Sequence, residues 1–86
     1  MSVSITHTEL EEWLTARVLA YGKVEEGSFT LDTPLTQLGL DSVYALTLCG
    51  DIEDAYEIDV DPVIVWDFPT IRLLAGGLAD QMRAAA

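Results

Sequence analysis

Three segments of the chain carry apolar side chains at the spacing of an α-helix, and no segment alternates apolar and polar residues as a half-buried strand does. These patterns predict main helices over about 6–21, 42–56 and 69–82. A short apolar piece over 62–66 predicts one further helical turn. We therefore expect an all-α fold, a small four-helix bundle of three main helices and one short helix around a single core.

The first and last helices each show one apolar face. Thr6, with Glu9 three residues later, fits a capping box at the start of the first helix, and Gly22 is suited to end it. Arg17 interrupts the apolar face, and its long stem is expected to carry the guanidinium to water. The predicted core positions are Leu10, Trp13, Leu14, Ala20 and Tyr21 in the first helix and Ile71, Leu74, Ala75, Leu78 and Met82 in the last.

A long connection joins the first two main helices and contains Gly27, Pro34 and Gly39. Loops of this length are uncommon in compact domains unless they are functional or tied down. One helical turn is expected to start within 32–34. Five apolar side chains are predicted to tie the loop to the core: Phe29, Leu31, Leu35, Leu38 and Leu40.

The length and charge of the chain limit what it can do. Its 86 residues allow one domain, expected over 1–86 with a helical core over about 6–82. Because a domain this small buries only about 60% of its unfolded surface, any chemistry is expected at the surface or with a partner. The methionine at position 1 favours a free-standing protein, although a domain excised from a longer chain and given a start codon would have the same sequence.

Acidic residues dominate the composition: fifteen Asp and Glu stand against four Lys and Arg, for a net charge of −11. Residues 24–71 contain no Lys, Arg or His. Such a surface disfavours nucleic acid and anionic lipid and favours proteins with basic docking patches. We expect no nucleic-acid partner and no membrane partner. The chain also lacks a secretory signal and an apolar run of the roughly 20 residues that span a membrane, so we expect a cytoplasmic protein. We also expect it to be a monomer.

The second helix divides its residues between a core face and an outer face. The apolar arc comprises Ala45, Leu48, Cys49, Ile52, Ala55 and Tyr56, whereas Ser42, Val43, Leu46, Gly50, Glu53, Asp54 and Glu57 lie outside it. Two branched apolar side chains among carboxylates are typical of a recognition face for a basic-rimmed partner. The alternative is that scattered exposed apolar residues need no explanation.

Ser42 stands at the start of this helix, directly after Asp41. One interpretation is that Asp41 or Ser42 simply caps the helix, and spacing alone favours this interpretation. The other interpretation is that the serine hydroxyl carries a phosphate ester, because unpaired amides and the helix dipole favour an anion at a helix start.

Three stretches resemble acyl carrier proteins of the polyketide type: "LGLDSV", "DSVYALTLCGDIEDAYEIDVD" and "VWDFPTIRLLAGGL". The similarity covers essentially all of 6–82. It implies that a phosphopantetheinyl transferase attaches 4′-phosphopantetheine from coenzyme A to Ser42, and that acyl or polyketide intermediates are held as thioesters on this arm. The carrier would not catalyse. Its partners would be ketosynthase, acyltransferase or acyl-ligase enzymes.

The resemblance also implies roles for the neighbours of the serine. Asp41 would help the transferase and partners to dock. Val43 replaces the usual leucine but stays apolar, and Gly50 stands where carriers often have a larger side chain. The expected partner-recognition set is Asp41, Val43, Leu46, Gly50, Glu53 and Asp54.

Other functions are weighed against this one. A peptidyl or aminoacyl carrier of a nonribosomal pathway more often shows Gly-Gly-His/Asp-Ser, from which Leu38–Leu40 departs, and an unmodified helical interaction module stays open. We expect no catalytic and no metal-binding residue, because a Gly-x-Ser-x-Gly elbow and a calcium-loop spacing are both absent. His7 is expected to be solvated at a frayed terminus, Cys49 to be buried, and Trp13 and Trp66 to anchor the core.

Overall fold

The structure, a computed structural model, describes residues 6–85, and its regular elements are all helical, as predicted. The main helices are α1 (His7–Ala20), α2 (Ser42–Tyr56) and α4 (Ile71–Ala85), with the single-turn helix α3 (Ile64–Asp67) between the last two. A 3₁₀ turn, Leu35–Leu38, lies in the long connection before α2. Within 6–85 no helix is long and apolar enough to span a bilayer.

Local capping sets where the helices begin and end. The Thr6 hydroxyl accepts a hydrogen bond from the Glu9 amide at 3.0 Å, which confirms the predicted start of α1. α1 ends as expected, with Gly22 at φ 75° after the cap residue Tyr21. α4 begins at Ile71 rather than at Pro69, because the Thr70 hydroxyl accepts from the Leu73 amide at 3.2 Å and so caps the helix after the proline.

Most of the core is formed by one face each of α1, α2 and α4. Of the predicted positions, Ala20 and Ala55 are exposed, and this part of the prediction is wrong. Both lie at the edges of their apolar arcs, where a slight rotation of the helix turns a side chain to solvent. Val18, absent from the predicted set, is buried instead. The fully buried large side chains are Leu10, Leu14, Val18, Leu38, Leu48, Ile52, Ile71, Leu74 and Leu78.

Arg17 does not extend freely into water as predicted. Its Nη2 lies 3.2 Å from Asp51 Oδ2 on α2, and the same carboxylate oxygen accepts from the Tyr21 hydroxyl at 2.7 Å. Burial and the hydrogen bond to this carboxylate raise the pKa of Tyr21. The three residues therefore join the end of α1 to the middle of α2.

The long connection is tied to the core and to the start of α4. Leu35, Leu38 and Leu40 are buried in the core, and Phe29 and Leu31 are partly buried against it, as predicted. Backbone hydrogen bonds add to these contacts: the Leu35 amide donates to the Pro69 carbonyl at 2.8 Å, and the Arg72 amide to the Leu31 carbonyl at 3.0 Å. The helical turn starts at Leu35, after Pro34, later than the sequence pattern indicated.

Candidate functional site

The segment Leu38–Asp41 positions the start of α2 at the surface. Gly39 has φ 83°, a left-handed conformation that favours glycine, and a Cβ built on it would lie 2.7 Å from the Lys23 Cβ. Leu40 follows as a buried anchor. Ser42 is the next residue but one and is exposed. The turn at Gly39 and the buried Leu40 side chain thus position Ser42 at the surface.

Asp41, not Ser42, caps α2. Its Oδ1 accepts hydrogen bonds from the amides of Val43, at 3.0 Å, and Tyr44, at 3.1 Å. Among the hydrogen bonds of residues 6–85, none engages the Ser42 hydroxyl. The sequence did not decide which of the two residues caps the helix. In the structure the Asp41 carboxylate accepts the amide hydrogen bonds at the helix start, and the Ser42 hydroxyl stays available to solvent.

The outer face of α2 carries an apolar strip next to the serine. Val43 is 67% exposed and Leu46 is 57% exposed, although both are branched apolar side chains. Gly50 continues the strip with open space where a side chain would lie. Asp54 and Glu57 are exposed further along. The structure therefore brings the predicted recognition residues Val43, Leu46 and Asp54 to the surface on one helix, and Glu57 follows directly after its end.

Glu53 differs from its neighbours on that face. Its Oε2 accepts a hydrogen bond from the Val60 amide at 2.9 Å, and Val60 is buried. The carboxylate thus ties the end of α2 to the segment before α3. Spacing placed Glu53 outside the core but gave no signal of this contact, because the partner is a backbone group from a loop.

Trp66 is not the core anchor that the sequence indicated. It is 52% exposed, and Val63 nearby is 48% exposed. α3 has only four residues, and Ile64 and Val65 already fill its buried side. A run of four apolar residues cannot all face inward in one helical turn, and that signal was present in the sequence.

An open groove of about 540 Å³ lies beside the serine. Sequence reasoning missed it because its walls come from distant parts of the chain: the end of α1, the 3₁₀ turn and α3. Its lining residues are Lys23, Thr36, Gly39, Leu40, Asp41, Ser42 and Trp66. A second groove of about 390 Å³, between α1 and Leu31, contains none of the predicted site residues.

Other reactive groups lie away from this groove. Cys49 is buried as expected, and burial raises the pKa of its thiol, which disfavours the nucleophilic thiolate. His7 is exposed but not frayed: its Nε2 lies 3.0 Å from the Arg72 carbonyl oxygen and 3.3 Å from a carboxylate oxygen of Glu11, so it links α1 to α4. Within the described part of the chain, no three His, Cys, Asp or Glu side chains are grouped as metal ligands.

Comparison with protein families identifies the chain. Residues 8–78 match the family model for the phosphopantetheine attachment site. The chain belongs to this family. It is therefore a carrier protein, and the group that its family holds covalently is 4′-phosphopantetheine.

Individual relatives of this carrier agree with that assignment. The acyl carrier protein LipD from Actinoplanes friuliensis is 36% identical, with a TM-score of 0.72 over 98% of this chain and 97% of that one. A free-standing peptidyl carrier protein from Acinetobacter baumannii is 32% identical, with a TM-score of 0.81 over 88% and 95% of the two chains. In sequence, 55 residues are 38% identical to 5-methyl-1-naphthoate synthase of Streptomyces sahachiroi, a match that covers 64% of the carrier but only 3% of the synthase.

The residues around the groove fit this group. Attachment needs a hydroxyl that a second protein can reach, and the Ser42 hydroxyl is at the surface and outside the internal hydrogen bonds of 6–85. The arm also carries one phosphodiester charge, and the groove contains a lysine. The structure thus offers a free hydroxyl, open space and a cation at one place.

Proposed function

We propose that this carrier holds acyl or polyketide intermediates on a 4′-phosphopantetheine arm attached to Ser42 and presents them to partner enzymes. The single observation that supports it most is the position of Ser42: it lies within the residues that match the family model, is exposed, and leaves helix capping to Asp41. The proposed unit is one domain over 1–86 with a helical core over about 6–82, acting as a cytoplasmic monomer.

The proposed modification is a phosphoryl-type transfer made by another enzyme. A phosphopantetheinyl transferase would join the Ser42 oxygen to the phosphorus that bears pantetheine in coenzyme A. The pyrophosphate bond would break, adenosine 3′,5′-bisphosphate would leave, and the serine would lose its proton. The attached group supplies a terminal thiol that holds the acyl cargo as a thioester.

We propose no catalytic residue in the carrier itself. The proposal is consistent with the position of the only histidine, His7, whose ring contacts Arg72 on α4 and Glu11. Chemistry on the cargo is assigned to ketosynthase, acyltransferase or acyl-ligase enzymes.

Partner enzymes are proposed to dock on the outer face of α2. The apolar centre would be formed by Val43 and Leu46, with Gly50 leaving space beside them. Asp41, Glu53 and Asp54 would supply negative charge towards basic docking patches. Asp41 and Glu53 also accept hydrogen bonds from backbone amides of this chain. Their carboxylates would therefore face a partner enzyme from fixed positions.

Intact mass spectrometry tests the attachment. The unmodified protein is incubated with coenzyme A and a promiscuous phosphopantetheinyl transferase, and a gain of one phosphopantetheinyl group is expected. Ser42→Ala should gain nothing. Ser28→Ala is the matched control, because Ser28 is also an exposed serine, and it should gain the group as wild type does. An unmodified wild type would leave the helical interaction module as the function.

A peptidyl or aminoacyl carrier remains the second candidate, favoured by the 32% identity to the Acinetobacter baumannii peptidyl carrier. The loaded protein separates the two. Acylation by an acyltransferase or acyl ligase, with no aminoacylation by adenylation domains, is expected for an acyl carrier. The reverse pattern would assign the protein to a nonribosomal pathway.

A further inference from the structure

The four basic residues of the protein differ in what they pair with. The three arginines each lie within salt-bridge distance of a carboxylate: Arg17 with Asp51, Arg72 with Asp32 and Arg83 with Asp80. Among residues 6–85, no carboxylate lies within this distance of the Lys23 ammonium. Of the Lys and Arg side chains within 6–85, Lys23 is thus the one without a carboxylate partner, although the net charge of the chain is −11.

Lys23 is held at the groove beside Ser42. Its stem packs against Gly39, where a Cβ would approach to 2.7 Å, and its Nζ lies 5.2 Å from the centroid of the Tyr44 ring. Contact with the ring face favours a cation there. Lys23 and Ser42 both line the same groove, so an anion attached to the serine would be near this ammonium.

A phosphodiester on Ser42 would gain little stabilisation from the start of α2, so a nearby cation matters. Asp41 Oδ1 already accepts from the Val43 and Tyr44 amides, so these two donors are taken. The Asp41 carboxylate also lines the groove and repels a second negative charge. Lys23 is the positively charged side chain among the lining residues and would offset that repulsion.

The part of the groove that α3 lines is apolar and exposed. Trp66 is 52% exposed, and α3 presents its indole to the groove. Indole rings combine a large apolar face with one N–H donor, which suits a chain of methyl, methylene and amide groups. The groove has a volume of about 540 Å³ and is lined by Ser42 itself, so a group attached to this hydroxyl would enter it directly.

We propose that the groove is a resting site for the phosphopantetheine arm, with Lys23 paired to the phosphodiester and Trp66 packed against the pantetheine. This inference rests on the proposed attachment at Ser42. Exposed ion pairs are weak, so Lys23 raises the occupancy of the site by a factor of about two to five. An arm held this weakly stays near the carrier until a partner enzyme withdraws it.

Two-dimensional ¹H–¹⁵N NMR of the apo and fully loaded protein tests the resting site. Loading should shift the Trp66 indole N–H and the amides of Thr36 and Gly39. The Trp13 indole is an internal control, because it packs against Tyr56 with ring centroids 5.3 Å apart, and it should not move. Raising the salt concentration should return the groove signals towards their apo positions.

Variants test whether the charge of Lys23 holds the arm in the groove. Each variant is fully converted to the phosphopantetheinyl form, as verified by intact mass. In Lys23→Gln the loading-dependent shifts of the groove should fall about two- to fivefold, and in Lys23→Arg they should persist. Arg83→Gln is the matched control, because it removes an exposed cation outside the groove, and its shifts should equal those of wild type.

The outcomes separate this inference from the function on which it rests. A mass gain with shifts confined to the residues next to Ser42, or with equal groove shifts in wild type and Lys23→Gln, would overturn the resting site alone. Absence of a mass gain would overturn the attachment and the resting site together.

Discussion

At the scale of single residues, Asp41 and Ser42 divide two tasks that adjacent polar residues often share. The aspartate closes the helix start through two amide hydrogen bonds, at 3.0 and 3.1 Å, which leaves the serine hydroxyl outside the internal bonds of 6–85. The position of the proposed attachment atom therefore depends on its neighbour. A change at Asp41 should affect stability and docking by separate physical routes.

Substitutions at Asp41 separate those routes. Asp41→Ala should lower the free energy of unfolding by about 1 kcal/mol, because the two amides lose their acceptor. Asp41→Asn keeps an acceptor oxygen and should retain most of the stability while losing the charge offered to partners. Urea unfolding at neutral pH measures the free energy of unfolding of both variants. An equal loss in the two variants would show that charge, not capping, stabilises the helix start.

Glu53 should matter to stability although it lies on the outer face. Glu53→Ala should lower the free energy of unfolding by about 1–3 kcal/mol, because the partly buried Val60 amide loses a charged acceptor. Leu46→Ala is the matched control on the same face. Being exposed, it should change stability by less than about 0.5 kcal/mol. Equal effects in urea unfolding would contradict the contact with Val60.

At the scale of elements, two helical glycines differ in whether their surroundings leave room for a side chain, so their substitutions should differ in stability. At Gly50 on α2 no atom beyond the adjoining residues and the backbone of the helix itself lies within 4 Å of a built Cβ, whereas at Gly77 on α4 the Phe68 ring lies 2.8 Å away. Gly50→Ala should stabilise the fold by up to about 1 kcal/mol through helix propensity. Gly77→Ala should gain less or destabilise, because the ring must move. Thermal unfolding compares the stabilities of the two variants. A larger gain in stability from Gly77→Ala than from Gly50→Ala would contradict the packing of Phe68 against Gly77.

The tie between the long connection and α4 should respond to acid. The Arg72 guanidinium donates to Asp32, from Nε to Oδ1 at 2.8 Å, and this hydrogen bond holds the pKa of the carboxyl below its usual 3.8. A depressed folded pKa means that the carboxylate form is favoured by folding. Its stabilising contribution is therefore complete above about pH 3.8 and is lost as the pH falls through the lower folded value.

Asp32→Asn checks this dependence. The variant should be less stable than wild type at neutral pH, and the difference should vanish once the wild-type carboxyl is protonated. Urea unfolding at pH 7 and at acidic pH measures it. A difference that is the same at both pH values would assign the effect to side-chain shape rather than to charge.

At the scale of the whole molecule, helical periodicity predicted the fold well because most of the core comes from regular helix faces. Ala45, Leu48, Cys49 and Ile52 were placed by spacing alone and are buried. Leu48→Ala or Ile52→Ala should therefore cost about 2–5 kcal/mol. Spacing failed at Ala55, at the edge of its arc, where burial depends on how far the helix is rotated against its neighbours.

The candidate site was less accessible to sequence reasoning. Its motif residues are local and were found from the chain order of Asp41 and Ser42. The groove, in contrast, exists because Lys23 packs on Gly39 and because α3 turns Trp66 outwards. The first is a tertiary contact that no local pattern marks, whereas the four consecutive apolar residues over 63–66 already indicated that one of them would face solvent.

Localisation of the modification tests the central claim most directly. After complete loading, the protein is digested and the modified peptide is fragmented in a mass spectrometer. The account predicts one phosphopantetheinyl group, with fragment masses that place it on Ser42. The same group on Ser28, on a threonine or on a tyrosine, with Ser42 unmodified, would contradict it.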